Sequence, residues 1–388
     1  MAKNATVIEL FCGCGGLSSG LLAAGFDVRL GLDYNEAAVD TFSYNHDHVG
    51  SRGVVADVRE LSGEEISAMA GLPKRSRPTL VVGGPPCQPF SIIGKRQGLQ
   101  DERGDLVLEF ARLVAELQPD ALLFENVANL ARMDGGAVVE QVSEALSSAG
   151  YALSDMVVDA TSFGVAQMRK RFIILGVRGK RGCGFPSPTH GDLPLLGQLP
   201  IRTCKDVLGD LPDVDTPEAL RFRNHEGTSH SPAMVAAFER LPPGQRDPKS
   251  HHDRLHPERP SFTLRAGNGN FSPLRPIHYK YNRVISVRES ARIQSFSDDF
   301  AWPDDMSRLQ QYRQVGNAVP PLLAKALGEH LAKHLGLTLD PERFGRPHGR
   351  TDRVSDASVD ERIARRRNYI RGASVGREAD SNPDHVVG

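Results

Sequence analysis

The chain has 388 residues, a formal net charge of -1 from 47 Lys and Arg against 48 Asp and Glu, and five cysteines. That length buries a large core and predicts two domains, or one with a substantial insertion, while the near-zero charge excludes a global basic field, so a polyanionic partner must meet a local patch. Cys12, Cys14, Cys87, Cys183 and Cys204 lack paired CxxC spacing, which argues against a disulfide framework or a structural zinc and predicts no metal; a reducing, cytoplasmic setting is expected, with no run of about 18 apolar residues to span a membrane and no apolar signal-peptide core at the start.

In chain order, Ala5 to Leu10 is a short apolar run ending in Phe11-Cys12-Gly13-Cys14-Gly15-Gly16-Leu17, and Ser18 to Ala24 reads as a helix closed by Gly25. This is strand, glycine turn, helix. Asp27 to Leu32 predicts a second strand ending at Asp33, Asn35 to Tyr44 a helix, Val54-Val55 a third strand closing at Asp57, and Gly63 to Ala70 a weaker helix. Thr79 to Val82 predicts a buried strand that runs into Gly83-Gly84-Pro85-Pro86-Cys87-Gln88-Pro89-Phe90-Ser91. Two prolines before Cys87 restrict the backbone and remove two donors, so the turn is stiff and presents the thiol at a strand end. After a loop to Arg103, an amphipathic helix runs from Asp105 to Leu117, Ala121 to Phe124 predicts a strand ending at Glu125-Asn126-Val127, Gly136 to Ala149 a helix, and Tyr151 to Asp159 and Arg171 to Val177 two more strands. Alternating strands and helices imply a mostly parallel, doubly wound α/β sheet. Asp33, Asp57, Cys87 and Glu125 would then line the rim at the carboxyl ends of its strands, where ligands bind in open α/β sheets.

From Arg178 to about Asp305 prolines and glycines recur and helical periodicity fades; between Arg240 and Arg283 nine Lys or Arg stand against three Asp or Glu, interleaved with Phe262, Phe271, Tyr279 and Tyr281. A basic, aromatic, loop-rich insertion points to a smaller, irregular, β-rich domain that faces a polyanion. Val287 to Gln294 and Pro320 to Leu335 read as helices, the latter with an apolar face expected to pack back on the first domain. Beyond Leu339 the chain is polar and charged, with Arg365-Arg366-Arg367, and a loosely attached tail is expected. The divisions drawn are 1–178, a catalytic and cofactor-binding domain; 179–305, a recognition domain; 306–338, a segment returning to the first; and 339–388, the tail.

The glycine turn departs from GxGxxG, and no Lys or Arg lies between Lys3 and Arg29 to meet a phosphate. Glycines there let a ligand approach the backbone, Asp33 can accept the hydroxyls of a ribose, Asp57 an adenine amino group, and Phe11 and Tyr34 can flank the base. A nucleoside without phosphates fits, S-adenosyl-L-methionine being the common example. Either acid alone could equally be a helix cap.

Phe11-x-Gly13-x-Gly15-Gly16-Leu17, Pro85-Pro86-Cys87-Gln88-Pro89-Phe90-Ser91, Glu125-Asn126-Val127, Gln167-x-Arg169-x-Arg171-Phe172, Arg288-Glu289-x-x-Arg292-x-Gln294-x-Phe296 and Gln314-Val315-Gly316-Asn317-Ala318-Val319 occur in that order. Together they resemble the C5-cytosine DNA methyltransferase family, over roughly residues 5 to 335. The resemblance implies that Cys87 is the nucleophile adding to C6 of a flipped-out cytosine, that Glu125 hydrogen-bonds N3, holding or sharing a proton, and that Arg169 and Arg171 steady the loop and the cytosine O2, with Gln167 fixing the backbone. It implies S-adenosyl-L-methionine as cofactor, held by Phe11, Gly13, Gly15, Gly16, Leu17, Asp33, Tyr34, Asp57, Val58, Pro85, Leu106, Asn317 and Ala318. Asn317 would reach the methionine part, and its place before Pro320-Pro321 also suits a cap of the final helix; the two roles are compatible. Duplex DNA is the implied partner, met by Ser91, Lys95, Arg96 and Arg103 on a closing loop and by Thr263, Leu264 and Arg265, with Asn268 and Asn270 beside them. A cognate restriction endonuclease acting on the same site, a monomeric state and a nucleoid-associated cytoplasmic location complete the expectation. Two alternatives stay open: methylation of tRNA cytosine, and a non-catalytic DNA-binding regulator on the same fold.

Overall fold

A computed structural model describes residues 5–86, 106–192, 197–267 and 274–342. Its centre is a seven-stranded sheet in the order β3-β2-β1-β4-β5-β7-β6. The strands are β1 (Thr6–Leu10), β2 (Asp27–Asp33), β3 (Arg52–Val55), β4 (Leu80–Gly83), β5 (Ala121–Val127), β6 (Tyr151–Asp159) and β7 (Lys170–Arg178). β1 to β5 are mutually parallel, and β7 runs antiparallel to both neighbours, β5 and β6. The chain winds outward from β1 through β2 to β3, then returns to place β4 on the other side of β1. The switch point therefore lies between β1 and β4, and the register Leu10↔Gly83 sets the turns that follow these two strands side by side.

Helices cover both faces of the sheet. On one side α1 (Gly16–Ala23) and α10 (Pro321–His334) build a core with Val7, Val82, Leu123 and Leu175; on the other α3 (Gly63–Met69), α4 (Leu106–Leu117) and α5 (Ala137–Ser148) build one with Ile8, Val81, Phe124 and Ile174. Strands buried on both faces read as continuous apolar runs, which is why periodicity located them. The remaining helix near this sheet, α2 (Glu36–His46), is capped by Asn35, whose side chain accepts from the Ala38 amide. The final helix packs on α1. A Cβ at Gly20 would collide with the Pro321 carbonyl and lie 2.6 Å from the Ala324 Cβ, so α1 and α10 touch backbone to side chain.

A third core gathers Cys204, Leu208, Leu255, Leu264, Ile285, Ile293, Phe296, Phe300, Trp302, Tyr312 and Val315, with Cys14 and Ala166 reaching in from the sheet side. Its helices are α6 (Cys204–Leu208), α8 (Val287–Ile293) and α9 (Arg308–Asn317), with α7 (Pro232–Arg240) outside it. The 179–305 segment is irregular, as expected, but not rich in strands: its described residues hold only β8 (Asp253–Arg254) and β9 (Pro276–Ile277). Frequent prolines remove the donors that longer ladders need. The 306–338 segment divides at Asn317, since Tyr312 and Val315 of α9 join the third core while Leu323, Leu327 and Leu331 of α10 join the first.

Candidate active site

Phe11 follows β1 with a positive φ of 59°, and Gly13 and Gly15 follow at 53° and 89°. A left-handed phenylalanine is strained, and only surrounding structure holds it there. The Cys12 amide continues the β2 ladder by donating to the Leu32 carbonyl at 2.9 Å. A side chain at Gly15 would strike the buried His46 ring, whereas a Cβ at Gly13 would meet nothing within 4 Å. Among the described residues the turn is thus closed behind and open in front. A Cβ at Gly16 would lie 2.5 Å from the Val319 carbonyl and 3.0 Å from the Ala318 Cβ, so the Asn317-Ala318-Val319 stretch is seated directly on the glycine turn.

Asp33 ends β2 with both oxygens engaged: Oδ2 accepts from the Gly13 amide at 2.9 Å and Oδ1 from the Asn35 amide at 2.9 Å. Burial raises its carboxyl above the ordinary value. A carboxylate has about four lone-pair sites, and with the Tyr34 amide also directed at it acceptor capacity still remains for a hydroxyl donor. Tyr34 beside it is 74% exposed. Asp57 is placed differently. It caps the short turn Val58–Glu60, its Oδ1 accepting from the Arg59 amide at 3.0 Å, and its Oδ2 pairs with the Arg59 Nη2 at 2.6 Å; hydrogen bonding from Arg59 holds its carboxyl below the ordinary range. The cap reading of Asp57 is realised here.

Of the other expected cofactor residues, Leu17 and Val58 are core side chains, Pro85 is buried, and Leu106 opens α4 half-buried. Asn317 is exposed and closes α9 as its last residue, while Pro320 caps α10. The expectation that Asn317 caps the final helix is therefore corrected.

Across the switch point, β4 ends at Gly83 and the chain continues through Gly84, Pro85 and Pro86. Cys87, Ser91, Lys95, Arg96 and Arg103 lie outside the described residues, as do Asn268 and Asn270. The approach to Cys87 is nevertheless fixed: the Asn126 side chain donates to the Pro85 carbonyl at 2.9 Å. Beside it Glu125, 8% exposed, pairs through Oε1 with the Arg171 Nε at 2.8 Å. Its other oxygen faces Gly84, where a Cβ would lie 2.8 Å away. Because β7 is antiparallel, its start meets the end of β5, in the register Val127↔Arg171. An arginine from the beginning of one strand and a carboxylate from the end of another thereby reach the same rim.

Arg169 does not join them. Fully enclosed at 1% exposure, its Nη1 donates to the Leu264 carbonyl at 3.2 Å and its Nη2 to the Gly316 and Ala318 carbonyls at 2.8 and 3.1 Å. Burial, then the neighbouring Arg171, pull its pKa well below the ordinary value. The expectation that Arg169 steadies a cytosine is corrected: it fastens the 316–318 stretch to the 264 strap. Gln167 and Gln294 complete this joint. Their side chains bond one another, Gln167 accepts from the Leu264 amide at 3.0 Å, and Gln294 donates to the Ala318 carbonyl at 2.5 Å. Leu264 is corrected likewise, being buried in a strap against the sheet; Thr263 beside it is half-buried, its hydroxyl donating to the Met168 carbonyl at 2.6 Å. Arg265 is exposed on the outer side of that strap.

Gly84, Asn126 and Gln294 stand in the quoted motifs without a role of their own, and Glu9 was passed over although it carries a visible signal, an acid inside the apolar run Val7-Ile8-Glu9-Leu10. It is 2% exposed, accepts from the Ser18 amide at 3.1 Å and from the Ser18 hydroxyl, and burial pushes its carboxyl up to about 8. It pins the first turn of α1 behind the glycine turn.

The profile of the C-5 cytosine-specific DNA methylases matches residues 5–333. Among similar proteins, the type II methyltransferase M1.HphI of Haemophilus parahaemolyticus is 33% identical over 344 residues, covering 84% of this chain and 87% of that protein. The type II methyltransferase M.XorII of Xanthomonas oryzae pv. oryzae is 33% identical over 373 residues, covering 84% of each. A crystal structure described as a DNA modification methyltransferase encoded within a prophage (E. coli) superposes with a TM-score of 0.69 at 27% identity, over 85% of this chain and 99% of that one. The S. pombe Dnmt2 methyltransferase shares the fold at a TM-score of 0.60 and 17% identity, over 86% of this chain and 100% of that one.

Proposed function

The chain belongs to the C-5 cytosine-specific DNA methylase family and is a DNA cytosine-5 methyltransferase, and from that premise we propose how its own residues carry the reaction. The observation that carries the reading is the Glu125–Arg171 pair, set beside the Gly84-Pro85 turn and across the switch point from the glycine turn. S-adenosyl-L-methionine is compatible with the residues around this turn: among the described residues a Cβ at Gly13 would meet nothing within 4 Å, Asp33 keeps acceptor capacity, and no Lys or Arg lies between Lys3 and Arg29 to meet a phosphate. Phe11, Gly13, Gly15, Gly16, Asp33, Tyr34, Asn317 and Ala318 would hold it. When bound, it supplies the electrophilic methyl group.

The thiolate of Cys87 adds to C6 of a cytosine flipped out of the duplex, a displacement that costs a few kcal/mol of stacking and pairing. Electron density arriving on the ring is accommodated at N3 by a proton held by Glu125, so that C5 becomes nucleophilic. After methylation a base removes the C5 proton and Cys87 leaves with the bonding pair returning to sulfur. Dividing the substitution in this way replaces one high barrier by lower ones. Arg171 fixes the orientation of Glu125, and with its remaining N–H groups can reach the cytosine O2. Gly84 leaves the space that the Glu125 carboxyl occupies, and Asn126 holds the turn that delivers the thiol. The family context further suggests a cognate endonuclease acting on the same site, with the methyltransferase working as a monomer on DNA in the cytoplasm.

The test is methyl transfer from labelled S-adenosyl-L-methionine to duplex DNA or to tRNA, with bisulfite sequencing of DNA from expressing cells to locate the product. Label in duplex DNA and protected cytosines in one sequence context are expected. Label in tRNA alone, or in neither substrate, would overturn the reading.

A further inference from the structure

Beside the strap at residues 261–267 lies a cleft of about 280 Å³ whose polar lining includes Arg246, Arg265, Arg275 and a single carboxylate, Asp253, with Met168 from the sheet side forming one wall. Met168 is three residues from Arg171, at most about 10 Å of extended chain. The cleft therefore opens next to the rim where the target base is handled.

Arg246 is the side chain in it with the most defined geometry. Its Nε donates to Asp253 Oδ1 at 2.6 Å and its Nη2 to Oδ2 at 2.9 Å, with Arg246 54% exposed at the side chain and Asp253 11%. The backbone under this pair is fixed. Arg246 and Asp253 face each other across an antiparallel bridge, the Arg254 amide donates to the Gln245 carbonyl at 2.9 Å, and Asp253 pairs with Pro276 in the β8–β9 ladder. The buried Arg254 anchors the hairpin from below, donating to the Phe238 carbonyl at 2.8 Å and to the Asn282 side chain at 2.6 Å. A guanidinium has five N–H donors in a planar fork. A side-on carboxylate takes Nε–H and one Nη2–H, and leaves the end-on edge with two parallel donors. That edge matches the O6 and N7 acceptors of guanine in the major groove. An arginine that met phosphates alone would gain nothing from a buried acid, which subtracts from the positive potential that attracts the backbone.

We propose that Arg246, oriented by Asp253, is a specificity-determining residue that reads a guanine of the recognition sequence. The proposal rests on the methyltransferase reading and adds a base contact to it. Asp253 acts as a positioning residue, and Arg265 and Arg275 supply charge for the adjacent backbone.

The experiment uses the full chain with S-adenosyl-L-methionine and a duplex pool randomised around cytosine, read by bisulfite sequencing, for the wild type, Arg246→Ala, Arg246→Lys and Asp253→Asn. The wild type is expected to require guanine at one position. Arg246→Ala and Arg246→Lys each lower that single preference by about 10- to 100-fold while other positions keep theirs, the range that one bidentate contact supplies. Asp253→Asn lowers it less, at the same position. Lysine keeps the charge and loses the fork, so a phosphate contact would instead survive in Arg246→Lys. An unchanged sequence profile in both arginine variants, with uniformly weaker binding and a salt slope smaller by about one in Arg246→Ala, would overturn the proposal. Thermal melting of each variant separates misfolding from lost recognition. If the wild type methylates no cytosine, it is the methyltransferase reading that fails; selection of bound duplexes by the same four proteins then still decides the arginine, by loss or retention of the guanine preference.

Discussion

The rim of the sheet and the segment that carries the third core are built on opposite principles. At the rim, backbone hydrogen bonds are satisfied within ladders, so polar side chains at strand ends are left for chemistry: Asp33, Glu125 and Arg171 each project from a strand whose own amides and carbonyls are paired. In the other region the backbone is irregular, and buried carbonyls must find donors elsewhere. Arginines supply them. Arg288, fully buried, donates to the Arg223, Ser297 and Phe300 carbonyls, and burial pulls its pKa down to about 10. Arg283 makes two 2.8 Å bonds to Glu289, itself held at about 2 by these bonds against a large burial cost. Motif residues that look alike on paper are thus presented at a rim in one region and built into the architecture in the other.

That contrast separates activity from stability in substitution experiments. The largest effect is expected at the rim. Glu125→Gln should lower kcat by about 10²- to 10⁴-fold, the usual contribution of a positioned acid, with the melting temperature and cofactor affinity little changed; an equal loss of cofactor binding would break the division. Arg288→Met should do the reverse. It leaves three carbonyls without their donor, and a loss of about 3 kcal/mol in urea unfolding is expected, while whatever folded protein remains keeps its turnover. Gly16→Ala sits where the regions meet: its Cβ would lie 2.5 Å from the Val319 carbonyl, a misfit of about 1–3 kcal/mol, expected as weaker cofactor binding in calorimetry and a smaller drop in kcat.

The smallest effect is a pH dependence from Glu9. Burial raises its carboxyl from 4.5 to about 8, so the folded chain keeps a proton that the unfolded chain releases. Its contribution to stability accordingly falls as pH rises from about 4.5 to 8 and is level above that. Denaturation midpoints across this range should lose part of their downward slope in Glu9→Gln.

The same contrast decides what could be read from the sequence. The β1 to β5 strands, their order of appearance and the acids at their ends were legible because apolar runs and turn residues repeat there, and Glu125 was read at the end of its strand. The antiparallel insertion of β7, which brings Arg171 to Glu125, was not legible, since periodicity carries no strand direction. Helices α6, α7 and α9 were missed, two of them short and the last strongly polar. The roles of Arg169 and Leu264 were misplaced for one reason. Sequence gives the residue type but not which carbonyl needs a donor, and in an irregular backbone that need decides where the side chain goes.

The account turns on a thiol that forms a bond to cytosine. A duplex carrying 5-fluorocytosine at the target position, incubated with the protein and S-adenosyl-L-methionine, has no C5 proton to release and so retains the enzyme. The account predicts a denaturation-resistant protein–DNA adduct for the wild type and none for Cys87→Ser. An adduct that persists in Cys87→Ser, or none in a wild type that still methylates the unfluorinated duplex, would contradict it.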